Sequence, residues 1–251
     1  MKALVTGASS GIGKEIAIYL DSLGYDIILV SRDKESLENL SKQLKNNSKI
    51  IVMDLSKLED IKSLYVLVKN DDIDILVNNA GFGLCGYFTD NDLNKELEMI
   101  DLNIKAYHIL TKLFLKDMKR NNKGYILNVA SAASFTSGPL MATYYATKSY
   151  VYHLTEAVNY ELKKEKVTGV HISCLSPGPV DTNFNDVANV KFSVKPLTAE
   201  YVAKYAIDKM FKNKLLIIPG IKMKLAKFGT RFISDKMAMH IIFNNQKKKM
   251  K

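Results

Sequence analysis

The chain is short of cysteine, of histidine in any ligating arrangement and of long apolar runs, and each shortage removes a class of protein. Cys85 and Cys174 are the two cysteines in 251 residues. They are too few and too far apart for the disulfide framework of a small secreted domain. No stretch of roughly 18 apolar residues is present to span a bilayer. Met1-Lys2 leads straight into a strand-like Ala3 to Thr6, without the pattern of a secretion signal. A cytoplasmic setting is therefore expected. The four histidines, His108, His153, His171 and His240, place no pair on one helical face beside an acid, so no metal is expected. No arginine cluster announces a phosphorylated or carboxylate ligand. No repeat or low-complexity linker precedes Gln246-Lys-Lys-Lys-Met-Lys251, which reads as a frayed, solvated end.

Charge is present but unevenly placed. The formal net charge is +10. From Lys209 to Lys251 eleven lysines and one arginine oppose the single acid Asp235, a balance of +11 that leaves −1 for residues 1 to 208. A near-neutral body with a basic appendage argues against nucleic acid and for a local contact. From Ile221 to Phe243, helical spacing puts Ile221, Leu225, Phe228 and Phe232 near one face and Lys224, Lys227 and Arg231 on another. The expectation is a main domain over residues 1–220 and, within the same domain, a basic amphipathic helix and tail over 221–251. Such a helix can lie on an anionic membrane. The preferred reading lays its apolar stripe over a ligand entrance or a partner subunit.

What the chain has in abundance is alternation. With 47% hydrophobic content it can bury a large core. Strand-like segments at 2–6, 26–31, 49–53, 74–77, 124–129, 168–175 and 215–218 are separated by helix-like segments at 11–23, 34–45, 58–69, 94–119, 144–164 and 199–211. That order predicts an α/β, doubly wound (Rossmann) single domain, a seven-stranded parallel sheet with helices on both faces. Continuous apolar runs such as Asp26-Ile-Ile-Leu-Val30 suit strands covered on both sides.

Three motifs carry chemistry. Thr6-Gly-Ala-Ser-Ser-Gly-Ile-Gly13 follows the first strand and opens the first helix, so Gly7, Gly11 and Gly13 form a turn whose amides can approach a phosphate. The second strand ends Leu29-Val-Ser-Arg-Asp33. An acid at the Ser31 position would favour the ribose hydroxyls of NAD, whereas Arg32 accommodates a 2′-phosphate, so NADP is expected. Asp33 is one step late and is expected to cap the next helix. Finally, Tyr144 and Lys148 lie four residues apart on one helical face, with Ser131 upstream at the end of an apolar run. A positive charge beside a phenol lowers its pKa from ~10 and makes it a plausible general acid and base.

Together these residues resemble the short-chain dehydrogenase/reductase family over about residues 2–182. The ordered markers are the glycine turn, Asp54, Asn78-Asn-Ala-Gly81, Asn103, Ser131, Tyr144, Lys148, and Pro177-Gly178 with Thr182. The Ser-Arg strand end and Tyr-Tyr-Ala-Thr-Lys are most similar to a bacterial group labelled DltE-like. The resemblance implies a catalytic set of Asn103, Ser131, Tyr144 and Lys148, with Asn103 holding a water that links the lysine to solvent. It implies cofactor contacts from Gly7, Ser9, Ser10, Gly11, Ile12 and Gly13, from Ser31 and Arg32, and from Asp54 and Leu55. Further contacts are implied from Asn79 and from Asn78, Ala80 and Gly81, which also steady the central strands, from Tyr144 and Lys148, and from Pro177, Gly178, Val180 and Thr182. Tyr145 is one step off the family spacing.

The implied reaction moves a hydride between NADP(H) and a carbonyl or secondary alcohol. Phe82, Leu84, Phe135, Leu140, Met141, Val180, Phe184, Val187 and Phe192 suggest an apolar substrate pocket beyond the strand ends, with Cys85 and Cys174 read as packed thiols. Alternatives are a 3-oxoacyl-thioester reductase and, on the filled tetrad less favoured, a non-catalytic NADP-sensing regulator. The resemblance also implies a homodimer or homotetramer.

Overall fold

Alternate side chains of each central strand point to opposite faces of a pleated sheet, and here both sets are apolar. In the computed structural model, which describes residues 1–182, 184 and 196–248, the central strands are β1 (Lys2–Thr6), β2 (Asp26–Ser31), β4 (Ile73–Asn78), β5 (Gly124–Val129) and β6 (Val170–Leu175), and β3 (Ser48–Val52) forms one edge. The short pair β7 (Val180–Asp181) and β8 (Leu197–Thr198) stands apart, and β9 (Leu216–Ile217) completes the main sheet. The seven strands run in the order β3-β2-β1-β4-β5-β6-β9, every neighbouring pair parallel.

Ala3, Val5, Ile27, Leu29, Ile75 and Val77 pack against α1 (Gly11–Ser22), α2 (Lys34–Ser41) and α7 (Ala199–Met210). Leu4, Ile28, Val30 and Leu76 face α3 (Leu58–Val68), α5 (Tyr107–Asn121) and α6 (Ala142–Lys164). The doubly wound expectation is therefore met. Strand order reverses between β1 and β4, and a crevice opens beyond their carboxyl ends, as such sheets require.

Three expected elements differ in detail. The helix read as 34–45 stops at Ser41 because the Asp21 carboxylate captures the backbone N–H groups of Lys45 and Asn46 at 2.9–3.1 Å. The helix read as 94–119 is three pieces: α4 (Leu93–Ile100), a π-helical turn over Asp101–Ala106, and α5. The basic helix read across 221–243 is two, α8 (Ile221–Gly229) and α9 (Asp235–Lys247), because Ser234 starts a new helix by accepting from the Met237 N–H at 3.3 Å. Gln246, taken as part of a frayed end, is instead 5% exposed inside α9. Among the described residues no helix is long and apolar enough to cross a membrane.

Candidate active site

The glycine turn is shaped by what lies beneath it. Gly7 has φ +64° and Gly11 φ +54°, the left-handed region that favours glycine. A Cβ on Gly13 would stand 2.3 Å from the Gly7 carbonyl oxygen, so Gly13 lies under the turn. Thr6 Oγ1 accepts from the Asn79 and Ala80 N–H groups at 2.9 and 3.1 Å and donates to the Val77 carbonyl at 3.2 Å. Asn79 Nδ2 donates back to the Thr6 and Gly7 carbonyls at 3.0 and 3.2 Å. The ends of β1 and β4 are thus tied together across the switch point.

At the end of β2, Ser31 Oγ donates to Ser9 Oγ at 2.9 Å. The Arg32 side chain is 58% exposed, its Nη1 3.0 Å from Glu98 Oε1 and 3.8 Å from Asp54 Oδ1. Burial tends to raise the Asp54 pKa, but hydrogen bonds from Ser56 and the Arg32 charge outweigh it and hold the carboxyl below its usual range. Asp33 caps α2, accepting from the Ser36 N–H at 3.0 Å.

The chemical end is assembled by α6, β5 and the π-helical turn. Ser131 follows β5 and caps a short 3₁₀ turn over Ala132–Phe135, its Oγ accepting from the Ala133 N–H at 3.2 Å. Ser134 closes that capping box and donates to the Lys148 carbonyl at 2.9 Å, which registers Ser131 against α6. Tyr144 and Lys148 are 8% and 4% exposed. Lys148 Nζ donates to the Val129 carbonyl at 3.0 Å and lies 5.2 Å from the Tyr107 ring centre and 6.0 Å from that of Tyr144.

Burial, rather than the neighbouring cation, sets these pKa values. Tyr144 is pushed up to about 12 by burial, with a hydrogen bond to Ser131 pulling the other way. Lys148 is pushed down to about 8 by burial. The expected depression of the phenol by the lysine gives way to desolvation of both groups.

Asn103 sits in the π-helical turn and is fully buried. Its Nδ2 donates to the Phe82 carbonyl at 2.9 Å and Thr147 Oγ1 at 3.1 Å, and its Oδ1 accepts from the Phe82 N–H at 3.2 Å. A Cβ on Gly81 would meet Asn103 Oδ1 at 2.7 Å and Lys148 Nζ at 3.4 Å. Asn103 thus holds the strand-end loop close to the lysine.

One cavity of ≈ 860 Å³ joins the two ends. Of the residues expected to touch cofactor, all line it except Gly13 beneath the turn and Asn78. Asn78 is 1% exposed and bonds Asn128 and Thr111 at 2.9 and 3.1 Å, so it belongs to the buried core. Ser131 lines the cavity and Asn103 stands behind it. Phe82, Phe135, Met141, Val180 and Phe184 line it, whereas Leu84, Cys85 and Leu140 do not. Val187 and Phe192 lie outside the described residues.

The basic segment covers the entrance, as the preferred reading had it, but with other side chains than its apolar stripe. Met223, Lys227 and Thr230 from α8 and its exit, and Ala238, Ile242 and Gln246 from α9, complete the wall. Gln246 Nε2 donates to Tyr145 Oη at 3.0 Å, and Lys227 Nζ lies 4.9 and 5.3 Å from the Phe135 and Tyr152 ring centres. The expected inward turn of the apolar stripe is not met: Ile221, Leu225, Phe228 and Phe232 are exposed, and the face that carries Met223 and Lys227 lines the cavity.

The family model for short chain dehydrogenases matches residues 1–191. The chain belongs to that family. An uncharacterized oxidoreductase of Staphylococcus aureus (strain MRSA252) is 36% identical over 183 residues, 72% of this chain and 78% of the relative. A short-chain dehydrogenase from Sphingobium yanoikuyae, solved in complex with NADPH, superposes with TM-score 0.82 at 26% identity, covering 92% of this chain and 93% of that one. The bulky-bulky ketone specific alcohol dehydrogenase from Comamonas testosteroni gives TM-score 0.78 at 25% identity over 93% and 94%. As a short-chain dehydrogenase, the chain is an oxidoreductase that works with a nicotinamide cofactor. The crevice fits such a group: Gly7 and Gly11 line it without side chains, and a Cβ on Gly11 would stand 2.9 Å from Thr182 Cγ2 across it.

Proposed function

We propose that the chain is an NADP(H)-dependent carbonyl reductase or alcohol dehydrogenase acting on an apolar ketone or secondary alcohol. The observation that carries this reading is the continuity of one cavity from the glycine turn and Arg32 to Ser131, Tyr144 and Lys148. The bound nicotinamide supplies or accepts the hydride. The turn from Gly7 to Ile12 and the N-terminus of α1 hold the diphosphate. Ser31 and Arg32 hold the 2′-phosphate, with Glu98 and Asp54 keeping the guanidinium at the mouth.

Ser131 hydrogen-bonds the substrate oxygen, and Tyr144 gives or takes the proton at its Oη. A phenol pushed up to about 12 is protonated at neutral pH, which suits the reductive direction. Lys148, 4% exposed, places its ammonium within the same wall, and Asn103 fixes the loop that faces it. Phe135, Met141, Phe184 and Ile242 give the substrate end an apolar lining. The similarity to the bulky-bulky ketone specific alcohol dehydrogenase from Comamonas testosteroni supports a ketone as substrate, and the Ser31-Arg32 strand end supports a DltE-like grouping.

The test follows nicotinamide absorbance with bulky apolar ketones, using NADPH and NADH, in the wild type and Tyr144→Phe. Turnover with NADPH is expected to fall by about 10²–10⁴-fold in the variant, with NADPH affinity nearly unchanged. Retained turnover would refute the role of Tyr144, and a preference for NADH would refute that of Arg32.

A further inference from the structure

Water imposes a rule on surface helices: the apolar face turns inward and the charged face outward. Helix α8 reverses it. Ile221, Leu225 and Phe228 are 73%, 64% and 58% exposed, and Phe232, just beyond the helix, is 73% exposed. The Phe228 and Phe232 rings pack on each other at 5.1 Å, so the apolar surface continues past the end of α8. The opposite face of the same helix sends Met223 and Lys227 into the cavity wall. Lys222 and Lys224 flank the outward stripe, and Arg231 and Lys236 follow it, all exposed. Residues 221–234 contain no acid. Among the described residues none of these four cations is paired with a carboxylate; Lys224 donates to the Tyr205 hydroxyl at 3.1 Å.

We infer that the outer face of α8 and its exit is a docking surface for an anionic lipid bilayer. A contiguous apolar patch on a chain's surface marks an interaction site. An apolar stripe rimmed by lysine and arginine is the pattern of helices that lie at the boundary between headgroups and acyl chains. Each basic residue near an anionic surface adds attraction that salt screens. Residues 209–251 carry a balance of +11 against −1 elsewhere, so the basic charge belongs to the same part of the chain as α8. A second copy of the chain fits less well, because a two-fold contact would set each lysine rim against its own equivalent. Lysine is also depleted in protein interfaces. Because the inner face of α8 walls the cavity, docking brings that wall to the lipid surface, where apolar carbonyl compounds concentrate. This corollary alone rests on the proposed carbonyl chemistry.

The experiment is flotation of the full chain with phosphatidylcholine vesicles, with and without phosphatidylglycerol, at low and high salt. NADPH binding and sedimentation velocity are followed in parallel. The wild type is expected to float with the anionic vesicles, weakly with the neutral ones, and less at high salt. The double variant Leu225→Glu, Phe228→Glu is expected to bind roughly tenfold or more weakly while retaining NADPH binding, which shows that it folds. Lys222→Gln with Lys224→Gln is expected to keep the weak neutral binding and lose much of the salt-dependent part. No flotation of the wild type, or equal flotation of the Leu225→Glu, Phe228→Glu variant, would overturn the inference. So would an oligomer that this variant dissociates while no lipid is bound. Turnover enters none of these readouts, so failure here leaves the catalytic reading untouched.

Discussion

At the floor of the crevice backbone meets backbone: a Cβ on Gly7 would lie 2.8 Å from the Ala80 Cα, and one on Gly13 would lie 2.3 Å from the Gly7 carbonyl oxygen. At the cover, side chains from α8 and α9 meet side chains of the body, as where Gln246 reaches Tyr145 at 3.0 Å and Lys227 lies over Phe135. The floor joins strand ends inside a parallel sheet and has no room to vary. The cover is two short helices held at few points, one of them with its apolar face to solvent. A site built this way can keep one cofactor geometry while its substrate wall changes.

Breaking the floor should have the largest effect. Gly13→Val puts atoms where the Gly7 carbonyl stands, so nucleotide binding is expected to disappear and stability to fall by about 1–3 kcal/mol, read by nucleotide titration and thermal melting. Undiminished nucleotide affinity would show that the turn tolerates a side chain and that the contrast is false.

Lys148, between floor and cover, tests burial. Its folded pKa is pushed down to about 8 from 10.5. Below pH ~8 both states carry the proton and the burial penalty is complete; above it the unfolded chain keeps the proton and the folded one does not, so stability rises with pH. The unfolding free energy of the wild type minus that of Lys148→Met should rise by about 2 kcal/mol between about pH 7 and about pH 10. A flat difference in urea titrations would mean that the ammonium is solvated.

Arg32→Ala removes one charge at the floor's rim. NADPH affinity is expected to weaken by about 1.5–3 kcal/mol, the worth of a charge-assisted hydrogen bond, with NADH affinity little changed; parallel losses for both nucleotides would remove Arg32 from 2′-phosphate recognition. The smallest effect belongs to the cover. Gln246→Leu leaves the Tyr145 hydroxyl without its donor, so stability should fall by about 1 kcal/mol. KM for the carbonyl substrate should rise while NADPH affinity stays the same. A change in NADPH affinity instead would mean that cover and floor are coupled.

The strands were legible because each is a short, largely apolar run bounded by turn residues, and the inner ones are buried on both faces, whereas the edge strand β3 leaves Lys49 and Val52 exposed. Gly124–Val129 and Asp26–Ser31 stand where the pattern put them. The glycine turn, Ser131, Tyr144 and Lys148 were legible because their spacing is local. Asn78 steadies the central strands through Asn128 but does not line the crevice, since neighbouring residues on one strand end face opposite ways: Asn79 reaches the turn and Asn78 the core network. The π-helical turn at Asn103 left no mark in the periodicity, which continues through it. Glu98 beside Arg32 lies 66 residues away in sequence and could not be paired with it by spacing.

By itself the sequence determined the order of elements, the doubly wound sheet and most of the side chains that line the crevice, because these follow from period, turn chemistry and short-range spacing. Tertiary structure decided three further things: that Lys148 loses its water, that Gln246 is buried against Tyr145, and that α8 shows lysine to the cavity and phenylalanine to the solvent. Helical spacing defines two faces without saying which turns inward. That choice depends on burial against residues distant in the chain.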